Sequence, residues 1–289
     1  MIDPVLKPRD QDIDSYGLTH RGKVREENED HFLIAGLSKQ LRVERTSLPD
    51  NAYLLQDSER IANVALVADG VGKGGGGEEA SRVAIQGVSQ YVTRSMEAFY
   101  NSNVTDEDDP EEFSRILSDA AMECHMNLVK RAELDPEKRR FGTTLTLWLG
   151  LWPHAYLLQV GDSRAYMFHD AKLSQISRDQ TMAQDLVDQG VMTRTAAHRT
   201  RWAHVLSSAI GGNEAAPVVS RITRDWGAVI LLCSDGLTKH VSDERIAERL
   251  GAMTSAKQVC EDLLQDALDD GGSDNITIIV GRTIKPTDT

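Results

Sequence analysis

Apolar residues follow two rhythms along this chain: short, nearly unbroken runs, and longer stretches in which they recur at helical spacing. The runs at 61–68 (IANVALVA), 143–150, 154–161, 164–169, 217–224, 226–233 and 275–281 are rich in β-branched and aromatic residues, with Gly, Asp or Ser at their ends. That pattern predicts strands. Two further strand-like pieces flank a charged loop within 14–36, and the mixed stretch 37–60, broken by Pro49, reads as an extended hairpin or insertion. The short connections among 143–150, 154–161 and 164–169 predict an antiparallel meander.

Helical spacing appears in 78–99, through Ala80, Val83, Ala84, Val88, Tyr91, Val92 and Met96. It appears again through Phe113, Ile116, Leu117, Ala120, Cys124 and Leu128, behind Asp109 as N-cap and Pro110 at the first helical position. A short helix ending at Gly190, an irregular stretch over 191–216 with scattered basic residues, and two helices capped by Ser242 and Ser255 complete the series. Strands in runs and helices in paired blocks predict α+β layers rather than alternating βαβ units.

No Pro/Gly-rich linker divides the 289 residues, so one domain is expected. The formal charge of −13 argues against a nucleic-acid surface and suggests a cationic partner or acids gathered around metal. The three cysteines are widely spaced and lack zinc-type pairing, which reads as reduced thiols. The first residues carry no apolar signal region, and the longest unbroken apolar run, 228–233, is too short to span a bilayer. The expectation is a cytoplasmic protein with no membrane partner.

Candidate chemistry begins at Asp69, which ends one apolar run and precedes a glycine-rich loop. Residues 70–75 satisfy G-x-G-x-x-G, but the following residues continue a helix where a dinucleotide fold needs a second strand ending in an acid. A P-loop fails as well, because Gly74 follows Lys73 where Ser or Thr belongs. The stretch 161–165 (GDSRA) approaches a nucleophile elbow, yet a strand rather than a helix follows Ser163.

What remains is a recurrent acid. Asp69, Asp162 and Asp235 follow strands, while Asp274 and the pair Glu29–Asp30 precede them. One Asp beside Gly is ordinarily a turn former, but five such strand ends brought to one rim would need a cation between them. Oxygen-only ligands select hard ions such as Mg²⁺ or Mn²⁺. An EF-hand is excluded, since residues 269–275 offer no Glu at the twelfth loop position. Arg25 adds a fork-shaped cation suited to a phosphate dianion. Divalent ions beside an arginine suit phosphoryl transfer.

The motifs RGKVREENED (21–30), LVADGVGKGGGGEEAS (66–81), FGTTLT (141–146), VGDSRAY (160–166), LLCSDGL (231–237) and GGSDNITIIV (271–280) occur in this order. Together they resemble the PP2C (PPM) family of metal-dependent serine/threonine protein phosphatases, bacterial type, over about 14–282. The resemblance implies a four-layer αββα sandwich of two mainly antiparallel sheets, with one phosphatase domain over 10–284, an insertion around 37–60 and a flap around 180–216. It implies that Asp69 bridges two Mg²⁺ or Mn²⁺ ions, with the Gly70 carbonyl on one and Asp235 and Asp274 on the other. Glu29 and Asp30 would orient metal-bound waters, Arg25 would grip the substrate phosphate, and Asp162 would hold a third, weaker ion. The implied reaction is hydrolysis of phosphoserine and phosphothreonine by in-line attack of a metal-bridging hydroxide. The implied partners are phosphoproteins made by a serine/threonine kinase, met by a monomeric enzyme.

This chain departs from the family at Val71, where animal members carry a histidine proposed as general acid, and at Lys73 and Ser208, where relatives often have Gly and Arg. A phosphohydrolase for small molecules, or a catalytically dead binding module, are the other readings; intact Asp69, Asp235 and Asp274 argue against the second.

Overall fold

The computed structural model describes residues 7–39, 59–72, 76–101, 110–134, 141–197 and 199–286. Two antiparallel sheets stack face to face. In the first, β1 (Ile13–His20), β11 (Ile276–Thr283), β10 (Val229–Cys233), β7 (Arg164–His169) and β8 (Lys172–Gln175) lie side by side in that order. In the second the order is β2 (Asp30–Lys39), β3 (Glu59–Val71), β5 (Leu145–Leu151), β6 (His154–Val160) and β9 (Val218–Thr223), with the short β4 (Gly142–Thr143) on the end of β3.

Alternation along each strand sorts side chains between two cores, as the two-residue period of a strand requires. From β3 and β5, Leu66, Ala68, Leu145, Leu147 and Leu149 pack under α1 (Gly76–Asn101) and α2 (Pro110–Leu134), against Val88, Phe113 and Leu117. Val67 and Trp148, one position off that face, turn the other way and meet Ile230, Leu232 and Ile279 of the first sheet. On that sheet's outer side, Leu231, Cys233, Ile278 and Val280 pack with Leu237 of the short α5 (Asp235–Thr238) against α6 (Asp243–Gly251) and α7 (Ala256–Asp269). Helices, sheet, sheet and helices therefore form the four expected layers. Ser242 and Ser255 cap α6 and α7 by accepting from Arg245 N and Gln258 N. The Asp109 cap, residues 40–58 of the expected insertion and Lys73 lie outside the described residues.

The expected meander is corrected. β5 and β6 do pair, but β7 leaves that sheet and pairs with β10 instead. Gly161, at φ +98°, makes the turn that carries the chain across, a conformation glycine adopts without a Cβ clash. The crossing brings Asp162 to the same end of the sandwich as the close of β3 and β10 and the start of β2 and β11. Over this end lie α3 (Met182–Asp188), α4 (Arg194–Ala197) and a 3₁₀ turn (Arg201–His204), within the stretch expected to form the flap. Among the described residues no helix is long and apolar enough to cross a membrane. All three cysteines are free and buried.

Candidate metal centre

The antiparallel register of β2 and β3 sets Asp30 directly opposite Asp69. This one pairing places two carboxylates at the same edge from segments nearly forty residues apart in sequence. β3 continues past Asp69 through Gly70 and Val71, held by β4 and by the threonines that follow it. Thr143 Oγ1 donates to Asp69 O (2.9 Å), and Asp69 N donates to Thr144 Oγ1 (3.0 Å). The aspartate backbone is thus fixed on both sides. At Gly70 a Cβ would lie 2.2 Å from Gly77 O and 2.6 Å from Glu29 O, so backbone presses in where any other residue would put its side chain.

Asp30 is buried, and its Oδ2 accepts from Ser234 Oγ (2.8 Å) and Thr277 Oγ1 (2.7 Å), both on the opposite sheet. Its Oδ1 is buried with no hydrogen-bond partner. Burial pushes its carboxyl up to about 7, against the pull of those two hydroxyls. Asp69 is held well above the ordinary carboxylate range by burial, with Asp30, Asp235, Asp162 and Asp274 adding to the rise. Burial, Asp235 and Asp179 push Asp162 up to about 8. Glu29 is raised by burial; its Oε1 accepts from Gly77 N (3.2 Å) and its own N–H donates to Asn275 Oδ1 (2.9 Å).

The outer part of the cluster is different. Asp274 accepts from Arg25, whose Nε lies 2.7 Å from Oδ1 and whose Nη2 donates to Oδ2 (2.9 Å). Lys239 Nζ stands 2.6 Å from Asp274 Oδ2 and 2.6 Å from Asp235 Oδ2. Although burial works to raise it, the Asp274 carboxyl is held below its usual value by Lys239 and Arg25. Arg25 therefore pairs with Asp274 rather than with its sequence neighbours Glu26 and Glu27.

All eight residues singled out from the sequence come to one rim. Two adjoining clefts, of about 680 and 590 Å³, share Arg25, Asp162, His204, Asp235, Lys239 and Asp274, while the second alone reaches Glu29, Asp69 and Gly70. Val71 is exposed in that second cleft. Ser208 instead is buried and accepts from Ala216 N (2.9 Å). Ser163 is fully buried, 2.7 Å from Thr144 Oγ1, so it is part of the support for Asp69 and not a nucleophile.

Sequence reasoning missed two supports. Asn275 Nδ2 donates to Arg21 O (3.0 Å) and Glu27 O (2.9 Å), clamping the loop that carries Arg25 and Glu29. Lys239 was the other; an i,i+4 spacing to Asp235 was its only local signal.

The donor set suits a hard divalent cation: carboxylates and a backbone carbonyl, a buried Asp30 oxygen without a partner, and acids whose mutual repulsion a cation would relieve. With Asp235 and Asp274 turned onto Lys239 and Arg25, no three His, Cys, Asp or Glu side chains among the described residues already stand in metal-holding geometry.

The sequence model of a family described as Protein phosphatase 2C matches residues 43–270. The serine/threonine protein phosphatase PstP of Mycobacterium tuberculosis is 32% identical over 224 residues, which cover 77% of this chain. The aligned part spans only 41% of that relative's length. A crystal structure of the M. tuberculosis phosphatase PstP/Ppp superposes with a TM-score of 0.74 at 27% identity, covering 94% of this chain and 99% of that one. A structure of the PstP catalytic domain in complex with two manganese ions superposes at 0.69, with 27% identity and the same coverage.

Proposed function

The chain belongs to the protein phosphatase 2C family, and from that premise we propose that it hydrolyses phosphoserine and phosphothreonine in proteins with the help of divalent metal. The observation that carries this reading is the convergence of Asp30, Asp162, Asp235 and Asp274 on half-buried Asp69, beside an arginine that faces both clefts. The manganese ions of the PstP structure support the same use of the acids here.

Mg²⁺ or Mn²⁺ held by Asp69, the Gly70 carbonyl, Asp235 and Asp274 would supply Lewis-acid activation of water and neutralise charge on the phosphoryl oxygens. The protein's own groups do the rest. Glu29, which lines the second cleft, and buried Asp30, opposite Asp69, offer acceptors that would orient water. Arg25, half exposed and tethered through Asp274, presents a guanidinium already aimed where a phosphate dianion would sit. Val71 has no proton to give, so leaving-group protonation falls to solvent in the cleft. On this reading residues 10–284 form one phosphatase domain, its partners are proteins phosphorylated by a serine/threonine kinase, and it acts as a monomer.

Phosphate release from phosphothreonine peptide, phosphotyrosine peptide and small phosphomonoesters, with Mn²⁺ or with chelator, tests the proposal. Mn²⁺-dependent release with preference for phosphothreonine is expected; full turnover after exhaustive chelation would remove the metal-dependent reading. Preference for small phosphomonoesters would favour a small-molecule phosphohydrolase.

Arg25→Ala is expected to raise KM about 10-fold or more, with a smaller change in kcat, because a contact made before and during reaction is largely uniform binding. Steady-state kinetics on the phosphothreonine peptide checks this. An unchanged KM would assign Arg25 to holding Asp274 alone.

A further inference from the structure

The resemblance to the family leads one to expect a third divalent ion at Asp162, and Lys239 stands in the way. Its ammonium lies between Asp235 and Asp274, 2.6 Å from an oxygen of each, and its side chain is three-quarters buried. It lines both clefts together with Asp162, and its charge also acts on that carboxyl. Among the described residues no other lysine lines either cleft. The ammonium thus rests on two acids of the bridged pair, in the same two clefts as Asp162.

The cluster divides by how its charge is met. Among the described residues Asp30 and Asp69 have no cationic side chain bonded to them, and one Asp30 oxygen is orphaned, so this part has no counter-charge from the protein. Asp235 and Asp274 already face a positive charge from the protein. A divalent ion entering beside Asp162 would share these clefts with an ammonium, like charge against like charge. It would also lack ligands, because an ammonium has donors only and cannot coordinate a cation. A lysine on a flexible four-carbon stem can slide from Asp274 and Asp235 toward Asp162 when ions occupy the bridged pair, remaining near the acids throughout.

We propose that Lys239 is a built-in cation that replaces the divalent ion expected at Asp162, so that this chain takes up two divalent ions and not three. The inference rests on the phosphatase reading of the acids, and its failure is separable from that of the reading itself. Lys239 is on this account a positioning residue, acting through Asp162, Asp235 and Asp274.

Ion stoichiometry of the whole chain decides it. Mn²⁺ bound per chain is measured by equilibrium dialysis with metal analysis, and by titration calorimetry, for wild type, Asp162→Ala, Lys239→Asp, Lys239→Gln and the double variant Lys239→Asp/Asp162→Ala. Wild type is expected to saturate at two ions. Lys239→Asp, which supplies a carboxylate in place of the ammonium, is expected to gain a third ion about 10-fold or more weaker than the pair. The double variant is expected to lose it again. Lys239→Gln has a second readout: it should melt several degrees lower than wild type without metal, because its acids lose their counter-ion, and should match wild type at saturating Mn²⁺. That match at saturation also shows that the variant is folded.

Three ions in wild type, the third lost on Asp162→Ala, would overturn the inference and leave the two-ion reading intact. Two ions in Lys239→Asp would overturn it equally. No uptake by wild type would remove the metal centre itself, and the inference with it.

Discussion

Replacing Asp69 by Asn is expected to slow phosphothreonine hydrolysis by at least ~10³-fold while leaving the chain folded. The substitution keeps shape and removes charge. The contacts that fix this position are backbone contacts, Asp69 O with Thr143 and Asp69 N with Thr144, and both survive in asparagine. What disappears is the carboxylate on which four other acids converge, and with it the strongest attraction for a divalent cation at the cluster's centre. Stability should move in the opposite direction to activity. Burial and four neighbouring acids disfavour the ionised Asp69, so without metal the Asn variant should melt above wild type, while the rise in melting temperature on adding Mn²⁺ should shrink sharply. Rate measurements and melting curves with and without Mn²⁺ check both halves. A near-normal rate would remove Asp69 from the centre of the chemistry.

Without metal, the protein is expected to lose stability steadily as pH rises from about 4 to about 8, by on the order of several kcal/mol in all. The folded-state pKa values of Asp30, about 7, and Asp162, about 8, lie above those of an unfolded aspartate, and Asp69 is raised as well. Between the two sets of values the folded chain retains protons that the unfolded chain has released. Raising pH therefore favours unfolding until the folded-state groups have themselves ionised. Asp274 runs the other way: its lowered carboxyl contributes stability that is lost only as pH falls below the ordinary carboxylate range, outside this window. Saturating Mn²⁺ should flatten or reverse the slope, because the ionised acids then have a cation to face and binding to the folded state alone adds stability. Urea melts at several pH values, with chelator and with Mn²⁺, measure it. A metal-free stability that is flat across this range would mean that the acids do not crowd one another in solution.

Most of the strands, the main helices and every acid of the rim were legible in the sequence, because each depends on local signals: hydrophobic period, cap residues, and carboxylates at strand ends; the short polar β8 carried no such signal. The sheet change at Gly161–Asp162–Ser163 was not. A three-residue connection between two strand-like runs looks like a hairpin, and only pairing of β7 with β10, more than sixty residues downstream, shows otherwise. The same limit hid Asn275, whose three side-chain hydrogen bonds all go to a loop some 250 positions earlier. Lys239 was hidden for a further reason. One lysine near one aspartate is ordinarily a solvated surface pair, and what sets this one apart is that Asp274 closes on it from another loop.

Asp30 rises from the edge of one sheet, and both hydroxyls that hold its Oδ2 come from the other: Ser234 just past β10, and Thr277 in β11. The carboxylate is therefore a clasp across the sandwich as well as a member of the acid rim. Sliding one sheet over the other would open the clasp and spread the acids together, so the inter-sheet core of Val67, Trp148, Leu232 and Ile279 sets the gauge of the metal centre from a distance. Packing changes in that core become a remote adjustment of metal affinity, and occupancy of the rim becomes a brace against shear between the two halves of the fold.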